Sequence, residues 1–248
     1  MKRPNVNRPL IFAHRGACRV APENTLPAFQ AALDLGADGV ELDVQYSSDG
    51  KLVVFHNPTL EATTDGVGRV AAHTFDELRS LDAGVKFDPR FAGTRIPTLD
   101  EVLDLLAGKL LVNVEIKSLD LTGASLAADI VKCVRAHGMA DQVLLSSFHP
   151  FAMRRARQVG PEIEGGLLTA ADLPGWMRWG LTRRHSRANA IHPEHTMVDA
   201  AYVTWARRHG LPVRVWTVND EADMRRMVAL GVDAIITDAP DVLAALPA

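Results

Sequence analysis

Cysteine is nearly absent: Cys18 and Cys133 are the only two in 248 residues, and neither sits in a CxxC or other metal-ligand spacing. That excludes a disulfide-stapled fold, and reduced thiols serving as packing are expected, in a cytoplasmic setting. Long hydrophobic runs are also missing. The first apolar stretch, residues 10–13, is too short for a signal core, and no later one approaches the ~18 residues of a membrane span. Stable membrane insertion is therefore not expected. A basic excess is missing as well, since 27 Lys and Arg stand against 30 Asp and Glu for a net charge of −3, which argues against nucleic acid as a partner. What is present is 47% apolar and 23% charged residues, the composition of a soluble, well-cored protein. The length suits one (β/α)8 barrel domain of about 250 residues; two smaller domains are the alternative.

Short apolar runs at residues 10–14, 39–45, 51–55, 110–116, 143–147, 164–168, 190–192, 213–218 and 234–237 alternate with amphipathic segments, the pattern of βαβ units around a parallel sheet. Nine strands are one too many for a barrel. Ser47-Ser48-Asp49-Gly50 separates the second and third by too few residues for a parallel crossover, so these two form an antiparallel hairpin above the rim and eight parallel strands remain. With Asp49-Gly50 as a two-residue turn, Ser48 pairs with Lys51 and Asp43 faces His56. Thr25 or Asn24 is expected to cap a helix over 26–35 that stops at Gly36. Thr74-Phe75-Asp76-Glu77 and Thr98-Leu99-Asp100-Glu101 read as capping boxes. Residues 57–97 are too long for a βα connection and read as an insertion within the same domain, placed as a lid over the rim. The doublets Arg154-Arg155, Arg207-Arg208 and Arg225-Arg226 read as solvated helix faces.

Polar residues gather where barrel strands end, the rim that carries active sites. The first strand runs into His14-Arg15-Gly16. Glu41 and Asp43 alternate with Val40, Leu42 and Val44, and Asn113, Glu115 and Lys117 alternate with Val112, Val114 and Ile116, so period-two geometry turns each polar set to one face. Structural ion pairs are the plain reading of such residues. Three inward carboxylates, Glu41, Asp43 and Glu115, suit one hard divalent cation, Mg²⁺ or Ca²⁺, better than zinc. His14 and His56 beside them supply a general acid and base, and Arg15 and Lys117 hold an anion. Together they point to phosphoryl chemistry.

His14-Arg15-Gly16, Pro22-Glu23-Asn24-Thr25, the segment from Gly36 to Val44, Val53-Val54-Phe55-His56, Ile96-Pro97-Thr98-Leu99, Glu115-Ile116-Lys117, Trp216-Thr217-Val218-Asn219 and Thr237-Asp238-Ala239-Pro240 resemble, in order, the glycerophosphodiester phosphodiesterase family of phospholipase-C-like barrels. The resemblance implies a TIM barrel that hydrolyses a small-molecule glycerophosphodiester to glycerol 3-phosphate and an alcohol. It implies catalytic roles for His14 and His56, metal ligation by Glu41, Asp43 and Glu115, phosphate contacts from Arg15 and Lys117, and a pocket-lining Trp216. Two positions depart from the family pattern: Asn57 stands where Asp follows the second histidine, and Ala62 where Arg is usual. Other readings are a non-catalytic phosphodiester-binding barrel and a Schiff-base barrel built on Lys117. A third is phospholipase-D-like action on lysolipids, with Trp176 and Trp179 as a lipid-facing loop.

Overall fold

The computed structural model describes residues 8–118, 124–178 and 182–246. Its strands are β1 (Leu10–His14), β2 (Gly39–Tyr46), β3 (Leu52–Val54), β4 (Leu111–Ile116), β5 (Val143–Ser147), β6 (Glu164–Thr169), β7 (Ala190–Pro193), β8 (Arg214–Val215) and β9 (Ala234–Thr237). The helices are α1 (Leu26–Asp34), α2 (Phe75–Ser80), α3 (Leu99–Leu106), α4 (Ala124–Ala136), α5 (Pro150–Val159), α6 (Gly175–Arg178), α7 (Arg183–Ser186), α8 (Ala200–Arg208), α9 (Glu221–Leu230) and α10 (Pro240–Ala244). Strands follow the order β7-β6-β5-β4-β2-β1-β9-β8, all parallel, with β3 antiparallel on β2. Isolated parallel bridges Ile191↔Val213 and Glu194↔Trp216 join β7 to β8 and complete the ring. This is the expected TIM barrel with one hairpin arm.

Period-two alternation sorts each strand between two cores. Leu10, Phe12, Leu111, Leu144, Ala234 and Ile236 fill the barrel interior. Ala13, Val40, Leu42, Val112, Val114 and Leu145 face outward into the layer beneath α1, α3, α4 and α5. A Cβ on Gly39 would meet the Phe12 ring at 2.6 Å, so only glycine lets that ring close the floor beside β2. On the other side the floor is polar: buried Arg214 pairs with Glu164 and donates to His192 Nε2 at 3.3 Å. Above this packed floor the inward positions are His14, Glu41 and Asn113 in one register layer, then Asp43, Glu115 and Ser146 in the next. The floor is therefore closed and the chemistry lies at the strands' C-terminal ends.

The hairpin register differs from expectation by one residue. Val44 pairs with Val54 and Tyr46 with Leu52, so Asp43 faces Phe55, whose N–H donates to Asp43 O at 2.9 Å. A two-residue type I′ turn needs positive φ at both central residues, whereas here Gly50 alone takes it (φ 80°) and Ser47 N–H donates to Lys51 O. The loop is thus the three-residue kind, Ser48-Asp49-Gly50. Asp49 is held elsewhere, accepting from Ser47 Oγ at 2.6 Å and from the Phe75 N–H at 2.9 Å.

The excursion between β3 and α3 has its own small core of Val53, Phe55, Leu60, Val70, Leu78, Ala83 and Ile96. Both capping boxes form, at Thr74–Glu77 and Thr98–Glu101, and Arg79 on α2 grips Glu101 on α3 with a second bond of 2.7 Å. The α1 cap is different: Thr25 Oγ1 donates to Pro22 O and Asn24 turns to Asp43, so neither side chain caps the helix. Of the arginine doublets, Arg207 and Arg226 bond carbonyls of neighbouring segments and serve the fold. Trp179 and the Trp176 side chain lie outside the described residues. Among the described residues no helix is long and apolar enough to cross a membrane.

Candidate active site

Strand alternation places Glu41 and Asp43 one above the other on β2, with Asn113 and Glu115 beside them on β4, and all four are buried. Oxygen atoms from Glu41, Asp43 and Glu115 lie within 4.8 Å of one another. At the end of β1 the chain turns through two left-handed residues, Arg15 (φ 55°) and Gly16 (φ 81°). The turn aims the Arg15 N–H at Glu41 Oε2, 3.2 Å away, and brings the guanidinium to Glu23 at 2.9 Å and Asp43 at 3.6 Å. Lys117, one pleat beyond Glu115, sits 2.8 Å from Glu115 Oε1 and 3.2 Å from Asp43 Oδ1. Asn24 (φ 56°) gives up its helix-capping role to donate to Asp43 Oδ2 at 2.9 Å. A cavity of about 110 Å³ is lined by Arg15, Lys117 and the four buried residues of β2 and β4 together with His14, His56, Phe148 and Trp216.

His56 reaches the cavity by a bend. Extension of the ladder would turn its ring away from Asp43, but β3 ends at Val54, and the buried Gln45 amide donates to both Phe55 O (2.8 Å) and Asn57 O (2.9 Å). These bonds fold the chain so that the imidazole enters the cavity. Its Nδ1 lies 2.8 Å from Asn57 Oδ1, a neutral acceptor that fixes the ring. His14 Nδ1 lies 2.6 Å from Asp238 Oδ1, and its Nε2 is 3.9 Å from Glu41 Oε2. Asp238 follows the last barrel strand and is held by Asn219 Nδ2 at 2.6 Å and by the Cys18 thiol at 3.3 Å. Trp216 both lines the cavity and packs on the barrel core, with Nε1 donating to His192 O (2.8 Å) and Phe148 edge-on at 5.4 Å.

All eight residues singled out from the sequence, His14, Arg15, Glu41, Asp43, His56, Glu115, Lys117 and Trp216, line this one cavity. Sequence reasoning gave no role at the site to Asp238, Asn24, Asn113 or Cys18. Asp238 carried a usable signal, because it directly follows an apolar strand at the same rim as His14.

The electrostatics show a cluster short of positive charge. Burial, then the neighbouring Asp43 and Glu115, push Glu41 well above the usual carboxylate range against Lys117 and Arg15. Burial pushes Glu115 up to about 7, with Lys117 opposing and Asp43 assisting. Burial also acts to raise Asp43, but Lys117, His56, Arg15 and Asn24 outweigh it and hold this carboxyl low. Burial lowers His56, reinforced by Lys117 and Arg15 against Asp43. Lys117 is pulled down by burial yet raised overall by Asp43 and Glu115; a protonated amine so held is a poor Schiff-base nucleophile. Asp238 lies at about 2, since its bonds to His14, Cys18 and Asn219 overcome burial. Three hard oxygen donors that two cations only partly neutralise fit a divalent metal ion. Asn113 Oδ1, buried at the same cavity with no hydrogen-bond partner among the described residues, is a further oxygen of the same kind.

The sequence profile of the Glycerophosphoryl diester phosphodiesterase family matches residues 14–242. A glycerophosphodiester phosphodiesterase of Caldanaerobacter subterraneus subsp. tengcongensis is 40% identical over 235 residues, 94% of this chain and 96% of that one. A phosphodiesterase from Oleispira antarctica, solved in complex with its product sn-glycerol-3-phosphate, superposes with a TM-score of 0.88 at 31% identity, covering 96% of each chain. A glycerophosphodiester phosphodiesterase from Agrobacterium tumefaciens gives a TM-score of 0.83 at 34% identity over 96% of this chain and 100% of that one.

Proposed function

Because the chain belongs to the glycerophosphoryl diester phosphodiesterase family, we propose that it hydrolyses glycerophosphodiesters to glycerol 3-phosphate and an alcohol, with His14 and His56 exchanging protons beside a bound divalent cation. The observation that carries this reading is the convergence of two imidazoles, three buried carboxylates and two cationic side chains on one small cavity. A protein that merely binds a phosphodiester has no use for two proton carriers. Glu41, Asp43 and Glu115 would hold the ion, Mg²⁺ or Ca²⁺, which when bound supplies charge stabilisation to phosphate oxygens.

The chain's own groups do the rest. Arg15 and Lys117 face the same cavity as fixed cations, placed to hold the phosphate and to stabilise the charge that develops on its oxygens. His56, kept neutral by burial beside a neutral amide, suits the base that takes a proton from the attacking oxygen. His14 suits the acid that delivers one to the leaving oxygen, with Asp238 orienting its ring and sharing its charge. A neighbouring cavity of about 190 Å³ lies across the Arg15–Glu23 pair, lined by Cys18, Glu23, Ala62, Lys86 and Phe87, and offers space for the alcohol half of the diester. Residues 57–97 belong with the barrel as one domain, supported by their return to α3 through Arg79 and Glu101. The free thiols of Cys18 and Cys133 support a cytoplasmic setting.

The test is release of glycerol 3-phosphate from a panel of glycerophosphodiesters and a lysolipid. Chelation is expected to abolish turnover and added Mg²⁺ or Ca²⁺ to restore it, while His56→Ala lowers kcat at least about 10²-fold. Full turnover after exhaustive chelation refutes the metal assignment, and near-normal kcat in His56→Ala refutes the proton transfer.

A further inference from the structure

On the outer face of the barrel, α3 and α4 pack side by side, and each brings two metal-ligating side chains to their contact. Asp100 and Asp104 are one turn apart on α3. Cys133 on α4 and His137, which directly follows its last turn, are likewise one turn apart. We propose that these four side chains form a zinc-binding site, separate from the active site, that staples α3 to α4.

Three of these donors, from Asp100, Cys133 and His137, already stand near the spacing such a site needs, and Asp104 reaches the cluster at His137. Ordinary Zn–N, Zn–O and Zn–S bonds at tetrahedral angles put ligand atoms about 3.3–3.6 Å apart. Here His137 Nε2 is 3.4 Å from Asp104 Oδ1 and 3.9 Å from Asp100 Oδ1, and Cys133 Sγ is 3.5 Å from Asp100 Oδ1. One ligand atom from each of Asp100, Cys133 and His137 falls within a 4.8 Å span.

The imidazole is prepared for the role by its second nitrogen. His137 Nδ1 lies 2.9 Å from Cys133 O, so Nδ1–H donates to that carbonyl and Nε2 is the nitrogen turned to the carboxylates, the arrangement that orients metal-bound histidines. Burial is graded in a useful way: Cys133 is 8% exposed, whereas the Asp104 side chain is 75% exposed, giving an ion an entry path to a sheltered sulfur. Among the described residues no lysine or arginine pairs with Asp100 or Asp104, whose ionisable neighbour across the contact is His137.

A sulfur, nitrogen and oxygen donor set selects zinc over Mg²⁺ or Ca²⁺, the reverse of the all-oxygen cluster inside the barrel. Cys133 binds as thiolate and its proton leaves to solvent as the Zn–S bond forms. Sequence alone offers only half of this site, a cysteine and a histidine one turn apart, which is why no metal-ligand spacing is read at Cys133. The tertiary packing of α3 supplies the two carboxylates. The staple would act on α3, whose Glu101 is the anchor that Arg79 uses to fix the insertion.

The probe is Co²⁺ added to metal-stripped full-length protein, followed by Zn²⁺ in competition. The expected result is a near-ultraviolet thiolate-to-cobalt charge-transfer band, displaced by zinc, present in Cys18→Ser and Glu115→Gln and lost in Cys133→Ser. Zinc at about a hundred times its dissociation constant is expected to raise Tm by about 5–10 °C. Asp104→Asn, at an exposed position that tolerates exchange, should weaken cobalt and zinc at least about tenfold and covers the case in which Cys133→Ser fails to fold. No thiolate band, or one that survives Cys133→Ser, overturns the proposal, as does zinc affinity unchanged in Asp104→Asn.

Discussion

Asp238→Asn changes one atom and should disable His14. In the native site His14 Nδ1 bonds Asp238 Oδ1 at 2.6 Å while Asn219 Nδ2 donates to Asp238 Oδ2 at 2.6 Å. Asn219 Oδ1 is itself occupied, accepting from the Asp238 N–H at 2.9 Å and Thr237 Oγ1 at 3.2 Å, so the Asn219 amide cannot rotate without breaking those bonds. An asparagine at 238 must therefore present its carbonyl oxygen to Asn219 and its NH₂ to His14. That forces Nδ1 to accept, places the neutral ring's proton on Nε2, and removes the carboxylate that shares the charge of a doubly protonated ring. A charge-assisted hydrogen bond of this kind contributes about 1.5–3 kcal/mol. Adding the wrong-tautomer penalty gives an expected loss of about 10²–10⁴ in kcat. KM should change little, about threefold or less, because the phosphate contacts proposed for Arg15 and Lys117 are left alone by this change. Steady-state rates of glycerol 3-phosphate release, with circular dichroism to confirm the fold, measure both constants. A kcat within about threefold of the native enzyme refutes the orienting role, and a loss confined to KM assigns Asp238 to substrate binding instead.

Two further expectations concern the floor and the alcohol side. His192 is fully buried and its pKa is lowered by burial and then by Arg214, so on acidification the unfolded chain takes up a proton that the folded chain refuses. Its contribution to stability is complete above the ordinary histidine range and falls below it with a slope of at most about 1.4 kcal/mol per pH unit. Urea unfolding between pH 8 and about 5 should show that slope reduced in His192→Gln, and an unchanged slope removes His192 as the cause. Ala62→Arg restores the family's usual side chain at the wall of the second cavity; it should raise KM for diesters of bulky alcohols several-fold relative to the smallest one while sparing kcat. Equal effects on all diesters would place the alcohol elsewhere.

Much of the site was legible because period-two alternation is local. Glu41 with Asp43, and Asn113 with Glu115, share a face whatever the rest of the chain does, and apolar partners at Val40, Leu42, Val112 and Val114 could only point the other way. The hairpin shows where such reasoning stops. Asp-Gly allows a two-residue turn, yet whether Asp49 adopts positive φ depended on the Phe75 N–H and the Ser47 hydroxyl that hold its side chain. The register moved by one residue, and His56 still entered the cavity because the Gln45 amide bends the strand after Val54. The anticipated α1 cap failed because the buried Asp43 carboxylate claims the Asn24 amide and Pro27 in the first turn has no N–H to offer a cap.

Residue order by itself therefore determined the strand count, the antiparallel arm, both capping boxes and the inward carboxylates, all of which follow from covalent geometry within a few residues. Only the closed barrel decided what meets across it. Pairing β9 with β1 sets Asp238 against His14 from 224 positions away, and packing α3 on α4 sets Asp100 and Asp104 against Cys133 and His137. Such encounters carry no periodicity, because a contact between distant segments depends on the register and tilt of every strand between them, and those are settled only when the whole ring is packed.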